Sequence, residues 1–320
     1  MKRHLSNDPE VSGAFAATPP QRRPVWLAFA PALFLLLWSG GFSVAKLGLQ
    51  HSPPLTFLVV RFALTLAVLL PVALVVRPPL PESRAAWRDL TVVGFLIQAG
   101  YFGLCYLAYT LGAPAGTVAI IVSLQPILVG LLAPRFTGER VTLGRWIGLA
   151  LGLAGAGAVV LTRSEVGGAS TAGMLCCVGA LLAMTGAALY EKRHGGRRHP
   201  VMVNLIQYAV GLVVMLPLAL WFETMHIEWT WSEVLAMAYL VIGNSLVAVS
   251  LLLAMIRYGE VSRVSALFFL VPPLAALMAW GLLGEVLPPL AWGGMALAAL
   301  GVAIASRAGS GMPALRRRAA

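Results

Sequence analysis

Residues 54–76 read PLTFLVVRFALTLAVLLPVALVV, twenty-three positions of which only Arg61 carries a charge. A helix rises about 1.5 Å per residue, so a run of this length spans the roughly 30 Å hydrocarbon core of a bilayer. Working outward with the same ruler, ten apolar runs emerge: Trp26 to Leu49, Pro54 to Val76, Leu90 to Leu111, Ala113 to Ala133, Arg145 to Leu161, Thr171 to Tyr190, Met202 to Phe222, Trp231 to Ala254, Val261 to Leu283 and Leu287 to Ser306. The composition agrees, with 59% hydrophobic and 11% charged residues, against roughly 25% charged in soluble proteins. A water-soluble globule is excluded. So is a nucleic-acid binder, because the +11 net charge sits in short gaps between apolar runs rather than on a polar face. Cys105, Cys176 and Cys177 fall inside the runs with no Cys-x-x-Cys spacing, so no disulfide framework or thiolate metal site is expected.

Lys and Arg in short loops stay on the cytoplasmic side. With the N-terminus inside, 20 of the 23 cations fall in inner segments, only Arg163 falls in an outer loop, and Lys46 and Arg61 lie within spans. The expectation is therefore an all-α polytopic protein of ten transmembrane helices, both termini cytoplasmic, in the inner membrane. Residues 1–25 read as a disordered tail rather than a signal peptide, and 307–320 as a basic tail.

Sliding the chain against itself gives one ungapped register, an offset of 146. Ser39-Gly40 meets Thr185-Gly186, Lys46 meets Lys192, Pro54 meets Pro200, Pro71 meets Pro217 and Gln98 meets Asn244. Pro126 meets Pro272, Gly138-Glu139 meets Gly284-Glu285, and Trp146 meets Trp292. This predicts two five-helix repeats, 26–161 and 171–306. Five is odd, so the second enters the membrane from the opposite side: a 5 + 5 inverted repeat, the architecture of alternating-access carriers with a site near the midplane.

The residues also resemble a known family. Trp38-Ser39-Gly40-Gly41-Phe42 with Lys46, Pro54 and Arg61, then Pro114-Ala115-Gly116, then Gln125-Pro126 before Glu139-Arg140, are similar to the drug/metabolite transporter superfamily, EamA-type ten-helix branch. Pro272 and Gly284-Glu285 repeat the pattern in the second half. The resemblance covers about residues 26 to 307. It implies a central cavity and export of amino acids or other small metabolites across a bacterial cytoplasmic membrane.

Polar side chains deep in a bilayer are costly, so the few present are the informative ones. Gln98 and Asn244 lie near the centres of their spans as symmetry mates, and are expected to face each other across the pseudo-two-fold axis. They either line a cavity or bond helix to helix. Gln98, Phe102, Cys105 and Tyr109 recur at helical spacing, with Tyr101 at the border, which predicts one amide-aromatic face. Ser39 and Thr185 with their glycines permit close packing or backbone exposed to solute. Trp38 beside them is a cavity wall or a packing residue. Lys46 and Arg61 occupy the outer half; Lys46 can snorkel, whereas Arg61 either ties helices together or meets an anion. Pro126 and Pro272 break the backbone ladder as hinges or kinks, with Glu139 and Glu285 just beyond them as caps or gates. Gly148, Gly152, Gly155 and Gly157 read as an intramolecular packing stripe, or otherwise as a dimer face.

All twelve acids and five histidines lie in tails, loops or helix ends, which disfavours drug-proton exchange on a buried carboxylate and a membrane metal site. No cofactor is expected, and Walker A, HExxH and nucleophile-elbow patterns are absent from the sequence. The reading is a non-enzymatic carrier, monomer or homodimer, exporting a small polar solute. Substrate-binding residues are Gln98, Asn244, Trp38, Ser39, Thr185, Tyr101 and Tyr109. The alternatives are an importer of a vitamin or nucleobase-like solute, a channel and an intramembrane enzyme.

Overall fold

The computed structural model describes residues 28–50, 52–113, 118, 121–122, 124–138, 141–161, 170–196, 198–259, 261–283 and 288–308. The tail at 1–25, most of 307–320, Pro114-Ala115-Gly116, Glu139 and Glu285 lie outside the described residues, as does the side chain of Lys46.

Among the described residues all regular structure is helical: α1 (Ala30–Gly48), α2 (Pro54–Val76), α3 (Arg84–Thr110), α4 (Gln125–Phe136), α5 (Leu143–Leu161), α6 (Thr171–His194), α7 (Pro200–Phe222), α8 (Trp231–Tyr258), α9 (261–283) and α10 (Pro289–Arg307). Six of these, α2, α3, α6, α7, α8 and α10, are long and apolar enough to cross a membrane, and shorter apolar stretches lie at Ala30–Gly41, Leu143–Val159 and Val261–Leu274. Two helices change winding in mid-course. Phe95–Gly103 of α3 and Leu240–Ala248 of α8 are π-helical, at equivalent places in the two halves to within one residue.

Several helices outrun their apolar cores because their ends are satisfied locally. Ser83, Ser170 and Thr230 accept hydrogen bonds from the amides of Ala86, Gly173 and Glu233 at 3.1, 3.0 and 3.2 Å. Such caps satisfy first-turn donors and start α3 a turn and a half before Leu90. Cations in the last turns of α6 and α8 complement the carbonyl end of the helix dipole, carrying these helices past Tyr190 and Ala254. The fourth run behaves differently. It is interrupted by a turn at Leu124, and Pro126 sits in the first turn of the next helix, where its missing N–H costs nothing. Pro272 likewise opens the segment Val271–Leu283 after a tight 3-10 turn at Leu267–Leu270.

The packing respects the 146 offset. α1 packs on α8 and α9 while its mate α6 packs on α3 and α4; α2 packs on α7, and α5 on α10. In the last contact the two backbones touch. A Cβ added to Gly155 would lie 2.3 Å from the Ala298 nitrogen, and one on Gly301 2.3 Å from the Gly152 nitrogen. The glycine stripe is thus an intramolecular seam of Gly148, Gly152 and Gly155 against Gly294 and Gly301, from which Gly157 is excluded, with nothing within 4 Å of its added Cβ. Gly155→Ala is expected to destabilise the protein by about 1–3 kcal/mol through overpacking against backbone, and Gly157→Ala to leave it unchanged. Melting temperatures of the two detergent-solubilised variants would check this; equal values would refute the seam.

Candidate functional site

Arg61 lies in the first third of α2 and is buried in the interior, 1% exposed. Its Nε donates to Ser245 Oγ at 2.8 Å, a terminal nitrogen donates to Asn244 Oδ1 at 2.5 Å, and its guanidinium lies 4.8 Å from the centroid of the Phe102 ring. The π turn of α8 presents Asn244 and Ser245 together. Asn244 also donates to the Leu37 carbonyl at 3.4 Å, and Tyr208 of α7 donates to the Ser245 carbonyl at 2.8 Å. Arg61 therefore ties α2 to α8. An arginine in an apolar interior survives only where its donors are met, and here neutral acceptors meet them.

Beside this cluster lies an aromatic wall. Trp38, 1% exposed, stands 6.3 Å from Tyr101, 5.8 Å from Phe102, 5.2 Å from Phe34 and 5.8 Å from Phe268, ring centroid to ring centroid. The rings come from α1, α3 and α9, so the wall joins both halves. Tyr109 is not part of it. It lies half-buried near the C-terminal end of α3, 6.1 Å from Tyr106. Between Gln98 and Tyr109 the helix is π-wound as far as Gly103, with more residues per turn than an α-helix, so α-helical spacing does not by itself put the two on one face.

Gln98 and Asn244 do not bond to each other. Asn244 is committed to Arg61 and Leu37, whereas neither amide atom of Gln98 has a hydrogen-bond partner among the described residues. Gln98 instead packs against α7, where a Cβ on Gly211 would lie 2.6 Å from its own Cβ. Ser39 is fully buried, its hydroxyl without a partner among the described residues, while Thr185 donates back to the Leu181 carbonyl at 2.8 Å, satisfying its hydroxyl within α6. The glycines after Ser39 admit α8, since added Cβ atoms would meet Tyr239 Oη at 2.4 Å and Asn244 Nδ2 at 2.5 Å.

Sequence reasoning found the span of α7 but missed its buried polar side chains. Asn204, Gln207 and Tyr208 are each 3% exposed or less, and with Gly211 they recur at i, i+3, i+4 and i+7. The signal was available: these are amides within an apolar run, and Gln207 is the residue that the 146 offset places on Arg61.

A cavity of about 480 Å³ opens between α2, α3, α6 and α7, but every lining residue is apolar or glycine, including Ala99, Gly100 and Gly103 of the π turn. None of the polar cluster's side chains lines it. The polar site itself is occluded.

The profile of the EamA-like transporter family matches residues 23–161 and again 171–307. The chain belongs to this family. A Bacillus subtilis protein named uncharacterized transporter YvbV is 28% identical over 79% of this chain and 81% of its own length. A Streptantibioticus cattleyicolor protein named probable terminal-alkyne amino-acid exporter is 28% identical over 89% of this chain and 94% of its own. A Salmonella typhimurium protein named probable amino-acid metabolite efflux pump is 26% identical over 86% and 93%. One solved crystal structure, 20% identical, superposes with a TM-score of 0.76 over 88% of this chain and 98% of that one, a likeness of fold. The protein is thus a multi-pass membrane transporter.

In this transporter both ends of the occluded cluster are tied. At one end Glu223 accepts from the amides of Leu55 and Thr56 at 2.9 and 2.6 Å and from the Thr56 hydroxyl at 2.7 Å, capping α2 with α7. Ser52 donates to Glu233 of α8 there at 3.1 Å. At the other end Asp89 of α3 receives Tyr190 at 2.8 Å and Arg88 and Arg198 at 3.2 Å each, and Glu191 of α6 pairs with Arg257 of α8. Asp89, Glu191 and Glu233 are all buried. These acids at helix ends are therefore inter-helix ties rather than solvated surface charges.

Proposed function

We propose that the protein is a secondary carrier that exports small polar metabolites, amino acids or related compounds, across the cytoplasmic membrane by alternating access. Ten spans in two inverted five-helix repeats, 26–161 and 171–306, with both termini cytoplasmic, make up the reading. The observation that carries it is the occluded cluster of Arg61, Gln98, Asn244, Ser39 and Trp38, to which α1, α2 and α3 of one half and α7, α8 and α9 of the other contribute side chains. Polar groups buried where two related halves meet are what a carrier needs in order to hold solute while closed at both ends. The relatives named as amino-acid exporters support the solute class and direction.

In this reading the cationic end is cytoplasmic, and the ties through Asp89 and Glu191 close it. The ties through Glu223 and Glu233 close the outer end. Pro126 and Pro272, each at an interruption of its helix, are the pivots. Of the side chains expected to bind solute, Trp38, Ser39, Tyr101, Gln98 and Asn244 keep that role; Thr185, self-satisfied, and Tyr109, at the outer end, serve the frame.

Counterflow in proteoliposomes tests the reading. Vesicles loaded with mixed amino acids and other metabolites are expected to accumulate a labelled member of the mixture transiently, with saturable uptake. Ion currents without saturation would indicate a channel instead. Absence of exchange for every solute tried, by protein that elutes as a monodisperse species, would refute the carrier assignment.

A further inference from the structure

The 146 offset carries Arg61 onto Gln207, Phe62 onto Tyr208 and Gln98 onto Asn244. The two symmetry-related polar pairs are in different states. Arg61 and Asn244 are bonded, whereas Gln207 and Gln98, both fully buried, make no side-chain hydrogen bond of ordinary geometry among the described residues, the Gln98 amide lying beside the Tyr208 hydroxyl. Their positions interlock. Gly211 admits Gln98 against α7, and Gly94, one turn back along α3, admits Gln207, whose Cα would lie 2.7 Å from an added Cβ. Gln98 thus stands near mid-depth and Gln207 one step toward the cationic end.

Unpartnered buried amides are costly, and so is a buried cation without counter-charge. Arg61 is such a cation. Its bonds end on a hydroxyl and an amide oxygen, and among the described residues no carboxylate pairs with it. The two polar pairs therefore bring one net positive charge and two amides able both to donate and to accept into the buried interior, where Phe102 lies against the Arg61 guanidinium and Trp38 against Phe102 and Tyr101. A group that satisfies all of these at once carries an anion at one end and hydrogen-bond donors at the other.

We propose that Arg61 receives the carboxylate of the solute, that Gln98 takes its ammonium group, and that Gln207 is the next station toward the cationic end. The carrier is then restricted to zwitterions with a free carboxylate, α-amino acids whose side chains lie against the aromatic wall being the simplest. The proposal rests on the carrier reading above. A planar guanidinium fork suits a carboxylate better than a point charge does.

The experiment uses the full chain in proteoliposomes loaded with the twenty common amino acids. Each is offered labelled, and the best exchanged is then challenged with its unlabelled self, its carboxamide and its decarboxylated amine. Self-competition is expected, with the carboxamide and amine at least about tenfold weaker, as for sites that reject analogues lacking a group they bond. Gln207→Met is expected to lose about tenfold in exchange while melting no lower than wild type, since it removes two orphaned polar atoms from a buried position. Arg61→Gln, where it folds, loses carboxylate selectivity. Equal competition by the carboxamide, unchanged exchange by Gln207→Met, or inhibition by chloride matching that by the amino acid would each overturn the proposal. Exchange confined to solutes without a carboxylate would also overturn it while leaving the carrier standing. Exchange of nothing at all would overturn both.

Discussion

Replacing Trp38 with alanine is expected to destabilise the folded protein by about 3 kcal/mol, at the lower end of the roughly 3–5 kcal/mol seen for large aromatic truncations in water-soluble cores. The side chain is 1% exposed and touches four other rings drawn from three helices, so no neighbour can close the void without leaving its own rotamer well. The lower end applies because an indole released into lipid stays in apolar surroundings; what is lost is van der Waals contact rather than shelter from water. Transport is expected to fall as well. Phe102 leans on Trp38 and also lies under the Arg61 guanidinium, so the void loosens the cation. Trp38→Phe is expected to recover most of the stability. Titration of the folded state with SDS in mixed micelles would measure both variants, and a Trp38→Ala midpoint equal to wild type would refute the packed-wall description.

The spans are legible in the sequence because bilayer thickness converts directly into run length, and the residues 54–76 and 200–222 carry that signal with almost no polar interruption. The repeat is legible because proline, glycine and tryptophan coincide at one offset. Winding is not. The π segments at Phe95–Gly103 and Leu240–Ala248 have no residue signature, since they depend on how α3 and α8 pack rather than on local propensity. One consequence is that the spacing from Gln98 to Tyr109 does not translate into a shared face by α-helical geometry. Pairing is equally hidden. That Asn244 answers to Arg61 rather than to Gln98 depends on helix orientation, which periodicity does not supply. Gln207 and Asn204 are legible by the same rule that finds Gln98, as amides within an apolar run.

The symmetry of the frame and the asymmetry of the site bear on mechanism together. Helix contacts exchange under the repeat, whereas of the offset-related residues Arg61 and Gln207 only Arg61 carries a charge. If the halves swap roles during transport, the conformers are related in shape but unequal in energy, and the bound carboxylate offsets part of that inequality. A ligand shifts such an equilibrium only by its differential affinity for the two states. A buried charge present in one half and absent from the equivalent position of the other is a means of providing one.

Arg257→Ala is expected to have the largest effect on stability, about 3–5 kcal/mol, the usual result of removing one partner of a buried ion pair. Glu191 is 1% exposed at the end of α6, and Arg257 brings it the counter-charge from the last turn of α8. Gly195 leaves it room, since a Cβ there would stand 2.4 Å from Glu191 Oε1. Without Arg257 the carboxylate must be buried bare or protonated, and either is costly. Arg257 also donates to the Arg198 carbonyl at 3.4 Å, and Arg198 in turn reaches Asp89, so the loss spreads to α7 and α3. The pair itself need not be worth much. Replacing both members, Glu191→Gln with Arg257→Leu, is expected to recover at least half of the loss, because no bare charge remains. A double-mutant cycle on SDS unfolding midpoints decides the matter. Additive losses would mean that the two side chains act independently and that the cationic end is held by something other than this pair.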